Sequence, residues 1–182
     1  MKLSLESVGR YRLIFGYLIA GACLAFANQR LFLPGVAVAL LGIAFRMWAA
    51  GYIQKNKQLA IDGPYALTRN PLYFGSFLLG VGGVMAVRAW LLLVIYIIGF
   101  AIFYLPTIRK EEKDLLAIFG DEFREYQKQV PAFFPWKPRL PIKGFSWSNM
   151  VRNGELKHAV FYLGFLSFLE VLGELRMLVN GR

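Results

Sequence analysis

Three features of this sequence could do chemistry: a pair of adjacent acids, a string rich in turn-forming and aromatic residues, and one arginine inside an apolar run. Glu111 and Glu112 are adjacent, and Glu111 shares a four-residue spacing with Leu115 and Phe119 that Phe123 and Tyr126 continue. That is the period of a helix with one apolar face, so Glu111 stands on the face expected to meet protein or membrane. A carboxylate placed there needs a partner, because an unpaired buried charge is costly. It could hydrogen-bond a ligand hydroxyl or face a cationic centre. The plainer alternative, strongest for Glu112, is an exposed pattern with neighbouring lysines.

The string GPYALTRNPLYFG, residues 63–75, lies between two stretches of membrane-grade hydrophobicity. Pro71 turns Asn70 away from helical backbone and towards extended backbone. It also fits the first turn of a following helix, whose free N–H groups would then face the loop and suit a carboxylate or another polar ligand group. Ordinary turn and capping chemistry would account for the same residues. Arg46 interrupts an otherwise apolar run. An intramembrane arginine is a functional candidate by default; the alternative is a side chain that snorkels to the headgroups.

The rest of the inventory narrows the chemistry. Cys23 is the single cysteine and His158 the single histidine, which leaves no disulfide framework within one chain and no thiolate or multi-histidine metal site. Carboxylates, tyrosines, amides, arginines or a bound cofactor must carry any reaction.

The elements that position these groups are read from hydropathy. Residues 89–108 are 20 residues without a charge, about the length that crosses a hydrocarbon layer as a helix. Residues 31–53, broken only by Arg46, residues 71–87, and a shorter run at 13–27 are further spans. Lys2, Arg10 and Arg12 before the first run also have the form of a cleavable signal; a retained span is expected. The fold class is therefore all-α, a multi-pass bundle of about four transmembrane helices with a cytoplasmic C-terminal helical segment. Residues 1–108 form the membrane region, 109–136 a cytoplasmic helix and proline-rich segment, and 137–182 an extension. In that extension the charge-free run 159–169 holds 11 residues before Glu170, Glu174 and Arg176, which reads as too short to span and as an interfacial or partner-docking helix.

The net charge of +10 is uneven. Basic residues gather before the first span, in the 54–70 loop (Lys55, Lys57, Arg69) and after Arg109, while the other two connections hold Arg30 and Arg88. The positive-inside rule puts both termini, the 54–70 loop and any site it forms on the cytoplasmic side. The excess suits anionic lipid headgroups and not nucleic acid, since no aromatic-and-basic strip of the single-strand-binding kind is present.

Residues 42–136 resemble the isoprenylcysteine carboxyl methyltransferase and phospholipid methyltransferase superfamily of integral membrane enzymes. The matching text is GIAFRMWAAG, then LAIDGPYALTRNPLYFGS, then EEKDLLAIFGDEFREYQKQVPAFFP. The resemblance implies an S-adenosylmethionine-dependent methyltransferase acting on a lipophilic acceptor: a prenylcysteine-like carboxylate, a phospholipid amine or another small lipid. By position it implies cofactor contacts from Lys57, Gln58, Leu59, Ala60, Tyr65, Asn70, Pro71, Leu72, Tyr73 and Glu111. Carboxyl methyltransferases of this group usually have histidine at the position of Asn70, and arginines at those of Thr107 and Gln129; NPLYFGS is closer to the phospholipid N-methyltransferase form. An arginine would bind an acceptor carboxylate, a task that falls here to Arg46 or Arg109. An amine or hydroxyl acceptor would want a base, for which Glu112 or Tyr126 stand as candidates. Two other readings are a membrane reductase of the sterol reductase type using NADPH, and a scaffold that keeps the fold without activity.

Overall fold

The computed structural model describes residues 5–53, 58–135 and 144–181. All regular secondary structure among them is helical: α1 (Leu5–Phe26), α2 (Leu33–Ala50), a 3-10 turn (Gly63–Ala66), α3 (Pro71–Ala86), α4 (Trp90–Gln129), α5 (Trp147–Arg152) and α6 (Glu155–Val179). Three helices, α2, α4 and α6, are long and apolar enough to cross a membrane; α3 is apolar but has 16 residues. The chain is thus an all-α membrane protein, with α2, α3 and the apolar part of α4 where hydropathy put the second, third and fourth spans.

Two expectations about element ends need correction. The change of composition at Arg109 does not end a helix: α4 runs for 40 residues through it. Hydrogen-bonded turns continue because only the side-chain chemistry changes there, from apolar all round to an amphipathic stripe. The helix breaks locally at Gly120, whose φ of 53° and ψ of −122° need a residue without Cβ. The charge-free run 159–169 reads as too short to span and as an interfacial or partner-docking helix, whereas α6 has 25 residues and is long and apolar enough to cross a membrane.

The chain forms two compact units, each gathered from non-adjacent stretches. The first takes residues 1–40, 78–107 and 162–182. Within it, the charges near the end of α6 have partners around the α1–α2 turn. The Arg176 guanidinium donates to the carbonyls of Leu24 (2.7 Å), Ala27 (3.2 Å) and Ala25 (3.3 Å). These are among the carbonyls that the end of a helix leaves without intrahelical donors. A Glu170 carboxylate oxygen accepts from the Leu31 amide at 2.7 Å, and Glu174 pairs with Arg30 at 3.4 Å. Arg176 thus caps the end of α1, while Glu170 and Glu174 hold the α1–α2 connection. In the same unit α2 and α3 meet at backbone distance: a Cβ on Gly82 would stand 2.2 Å from the Ala39 nitrogen, and one on Gly35 2.4 Å from that of Ala86. Small residues permit this approach, from which helix packing in lipid draws its van der Waals energy.

The second unit takes residues 41–77 and 108–161. Its core is Leu59, Phe123, Tyr126 and Val130, with Tyr65, Leu115, Leu116 and Phe119 packed against them. This is the expected apolar stripe of the polar half of α4, turned onto the 59–65 segment. Gly63 begins the 3-10 turn with φ of 58°, and a Cβ there would lie 2.4 Å from the Tyr52 ring, so backbone and space both require glycine. Pro71 opens α3, as its place after Asn70 predicts.

Candidate active site

The second unit contains a cavity of about 470 Å³. Its loop side is built from Gln58, Leu59, Ala60, Tyr65, Arg69 and Asn70, continued by the first turn of α3 with Pro71, Leu72 and Tyr73. Its helix side is α4, through Glu111, Asp114, Leu115, Ile118, Phe119 and Tyr126, and Ile53 adds a wall at the end of α2. The structure therefore brings Gln58, Leu59, Ala60, Tyr65, Asn70, Pro71, Leu72, Tyr73, Glu111 and Tyr126 to one cavity. Lys57 lies outside the described residues. Ile53, Arg69, Asp114, Leu115, Ile118 and Phe119 were not anticipated as lining residues. Asp114, Leu115, Ile118 and Phe119 follow Glu111 by three, four, seven and eight positions, so its helical face carried the signal for all four.

A latch holds the loop against the end of α4. The Arg69 guanidinium pairs with Glu112 through Nε (2.9 Å) and Nη2 (3.2 Å), and its Nη1 donates to the carbonyls of Val130 (2.7 Å) and Gln127 (3.1 Å). It thus meets a carboxylate in the bidentate manner that makes such pairs strong, and caps the end of α4. The Asn70 amide donates to Glu112 and to the Ala132 carbonyl, both at 2.9 Å. The Arg69 amide donates to Pro131 at 2.9 Å and the Thr68 hydroxyl to Ala132 at 3.2 Å. Across the core, the Tyr126 hydroxyl donates to the Tyr65 carbonyl at 2.6 Å.

These contacts relocate several sequence-based candidates. Glu112 is not the exposed member of a lysine pattern; its side chain is only 15% exposed, and it serves Arg69 and Asn70 outside the cavity wall. Glu111 faces the cavity and accepts from the Tyr73 hydroxyl. Arg46 lines no part of the cavity and does not snorkel: it pairs with Glu155. Arg109 is exposed and also stands outside the wall. Burial holds the Tyr126 phenol above its ordinary range; Arg69 opposes the shift and Glu112 adds to it. The Tyr65 phenol is likewise raised, chiefly by burial and then by Tyr126, Glu111 and Glu155, with Arg46 opposing. Both are neutral hydrogen-bonding groups at physiological pH and not phenolate bases. Among the described residues no cluster of three or more histidines, cysteines or acids could hold a metal ion.

What this geometry offers is a largely apolar cavity with two carboxylates and several aromatic faces, fixed at one end by a partly buried ion pair. The phospholipid methyltransferase family model matches residues 17–122. The cobalt-zinc-cadmium resistance protein CzcN of Cupriavidus metallidurans is 34% identical over 189 residues, covering 92% of this chain and 82% of its own. The nickel-cobalt-cadmium resistance protein NccN of Alcaligenes xylosoxydans xylosoxydans is 37% identical over 136 residues, 71% of this chain and 61% of its own. The protein-S-isoprenylcysteine O-methyltransferase of Schizosaccharomyces pombe is 29% identical over 117 residues, 64% of this chain and 50% of its own. No solved structure matches the chain. The family match favours methyl transfer over the reductase and scaffold readings. With spanning helices and a cavity at the loop and helix that carry the matched motifs, the chain belongs to the phospholipid methyltransferase family and is a membrane methyltransferase.

Proposed function

We propose that this cavity takes S-adenosylmethionine as methyl donor and that the acceptor is a lipophilic molecule presenting an uncharged or cationic group, a phospholipid amine or another small lipid in preference to a prenylcysteine-like carboxylate. The observation that carries the reading is the joint placement of Glu111, Asp114, Tyr65, Tyr73 and Phe119 around one cavity of suitable size. A cavity of this volume is within the usual range for small-molecule sites, about 300–1,000 Å³. Carboxylates and aromatic faces both favour cations, which fits a donor with a sulfonium and an ammonium, while the apolar side chains suit its purine. When bound, S-adenosylmethionine supplies a methyl group already activated on sulfur.

The chain's own residues bind, align and exclude water. Tyr73 and Glu111 form a hydrogen-bonded pair that can orient a polar ligand group, and Leu59, Leu115 and Phe119 keep the wall dry. Glu112 and Tyr126 are committed to the latch and the core. Where an amine must lose a proton, Glu111 and Asp114 are thus the carboxylates that face the cavity. The preference for an uncharged or cationic acceptor follows from charge. Arg69 is the cation among the described lining residues, and its guanidinium is spent on Glu112 and two carbonyls. Among the described lining residues an acceptor carboxylate would meet two acids and no uncommitted cation, while the donor's own carboxylate suits the free N–H groups at the start of α3. The basic residues of the 54–70 loop and those following Arg109 support a cytoplasmic placement of the site and both termini.

The test is transfer of labelled methyl from S-adenosylmethionine to total membrane lipid by the detergent-purified chain. The expected result is label in the lipid phase that survives alkali. Label released by alkali as methanol would identify an ester and hence a carboxylate acceptor, overturning the acceptor assignment. Absence of transfer to any lipid fraction would overturn the activity proposed for this lipid class.

A further inference from the structure

The family match stops at residue 122, yet residues 145–158 belong to the same compact unit as the cavity. They meet the end of α2 through its backbone. The Asn153 amide donates to the carbonyls of Ala50 (3.0 Å) and Ile53 (3.3 Å), and the Ser146 amide donates to Gly51 at 3.1 Å. The Phe145 ring lies where a Cβ on Gly51 would fall, 2.3 Å away. Ala50 closes α2, whose last carbonyls need outside donors; Gly51 and Ile53 follow it, and Ile53 is itself part of the cavity wall.

Glu155, in the first turn of α6, makes the second connection. It is 5% exposed and receives Arg46 through Nε at 3.1 Å and through Nη2. The other amino group of that guanidinium, Nη1, donates to the Leu72 carbonyl at 3.3 Å and to the Ser76 hydroxyl. Arg46 lies against Gly75 so closely that a Cβ there would meet its Cγ at 2.6 Å. One arginine therefore holds the first turn of α3, where Leu72 and Tyr73 line the cavity, and is itself held by an acid more than a hundred residues away in sequence. A bidentate guanidinium–carboxylate pair fixes orientation as well as distance.

From these contacts we infer that residues 145–155 are a positioning element of the methyltransferase cavity, with Glu155 acting through Arg46 on the Leu72–Tyr73 wall and Asn153 acting on Ile53. The inference rests on the donor assignment above, because its readout is donor-site affinity. Glu155 is a positioning residue and touches no reacting atom.

The experiment measures binding of S-adenosylhomocysteine to the full-length chain in detergent, with thermal unfolding recorded on the same samples. Glu155→Gln is expected to weaken binding at least about 10-fold, because the charge-assisted pair that fixes Arg46 against the Leu72 carbonyl is lost. The double variant Arg46→Met with Glu155→Leu replaces the buried pair by apolar side chains, a change that often leaves stability intact. It is expected to melt near wild type and still bind weakly. A merely structural role predicts the reverse: a lowered melting point for Glu155→Gln with wild-type affinity in the folded fraction, and wild-type affinity in the double variant. Either result would overturn the inference while leaving the donor site standing. Should Glu155→Gln not fold, the double variant decides alone. Absence of binding by folded wild type would overturn both readings together.

Discussion

Arg69→Leu is expected to destabilise the protein by about 3 kcal/mol, the lower end of the cost of leaving a buried charge without its partner, because the pair is only partly buried. Glu112, 15% exposed, would lose its cation, and the carbonyls of Gln127 and Val130 would lose their donor at the end of α4. For a chain of this size each kcal/mol shifts the thermal midpoint by about 2–4 °C, so a fall of roughly 10 °C is the expected result in detergent. Leu67, Thr68 and Asn70 would also lose the anchor that sets the loop against the cavity, so donor-site binding should fall along with stability. Adding Glu112→Met should restore part of the midpoint, because the orphaned acid is then gone. A single variant that melts within about 1 kcal/mol of wild type, the range of an exposed ion pair, would show that the latch is dispensable.

The second large effect lies in the membrane part. Gly82→Val adds a Cβ at 2.2 Å from the Ala39 nitrogen and 2.6 Å from the Gly35 carbonyl. Both are backbone atoms, so no rotamer change relieves the clash and the two helices must separate. Overpacking of a tight core costs about 1–3 kcal/mol and occasionally more; contact with backbone and not with flexible side chains puts this variant at the upper end. The adjacent Gly83 is the control, because a Cβ there meets nothing within 4 Å. Gly83→Ala should be neutral or stabilising by about 0.5–1 kcal/mol, the helix-interior advantage of alanine. Equal effects at the two glycines, read as thermal midpoints, would contradict the packing described for α2 and α3.

The parts of the site that could be read from the sequence are those governed by local rules. The four-residue spacing from Glu111 through Phe119 placed one face of α4, and that face became the helix side of the cavity. Asn70-Pro71 fixed where α3 begins, and so which residues of the string stand at its mouth. Pairings across long separations could not be read this way. Glu112 has the local signature of a solvated acid among lysines; its actual partner, Arg69, lies 43 residues earlier. Arg46 offered only a choice between function and snorkelling because Glu155 is 109 residues away. The full length of α6 is hidden for a related reason. A count of uncharged residues treats Glu170 and Arg176 as exposed, while the fold supplies the Leu31 amide and the carbonyls of Leu24, Ala25 and Ala27 as their partners. Composition alone does not reveal that a charge in an apolar helix is already satisfied.

The central claim is that the cavity between the Gly63–Ala66 turn, the start of α3 and the polar half of α4 binds the methyl donor. The most direct measurement is isothermal titration of the purified full-length protein with S-adenosylhomocysteine, in wild type and in Tyr73→Ala. Tyr73 contributes both a wall and the hydroxyl that holds Glu111. The account predicts saturable binding by wild type and affinity at least about 10-fold lower in the variant, equivalent to about 1.4 kcal/mol. Folded wild type that binds no S-adenosylhomocysteine, or a Tyr73→Ala variant that binds it as tightly as wild type does, would contradict it.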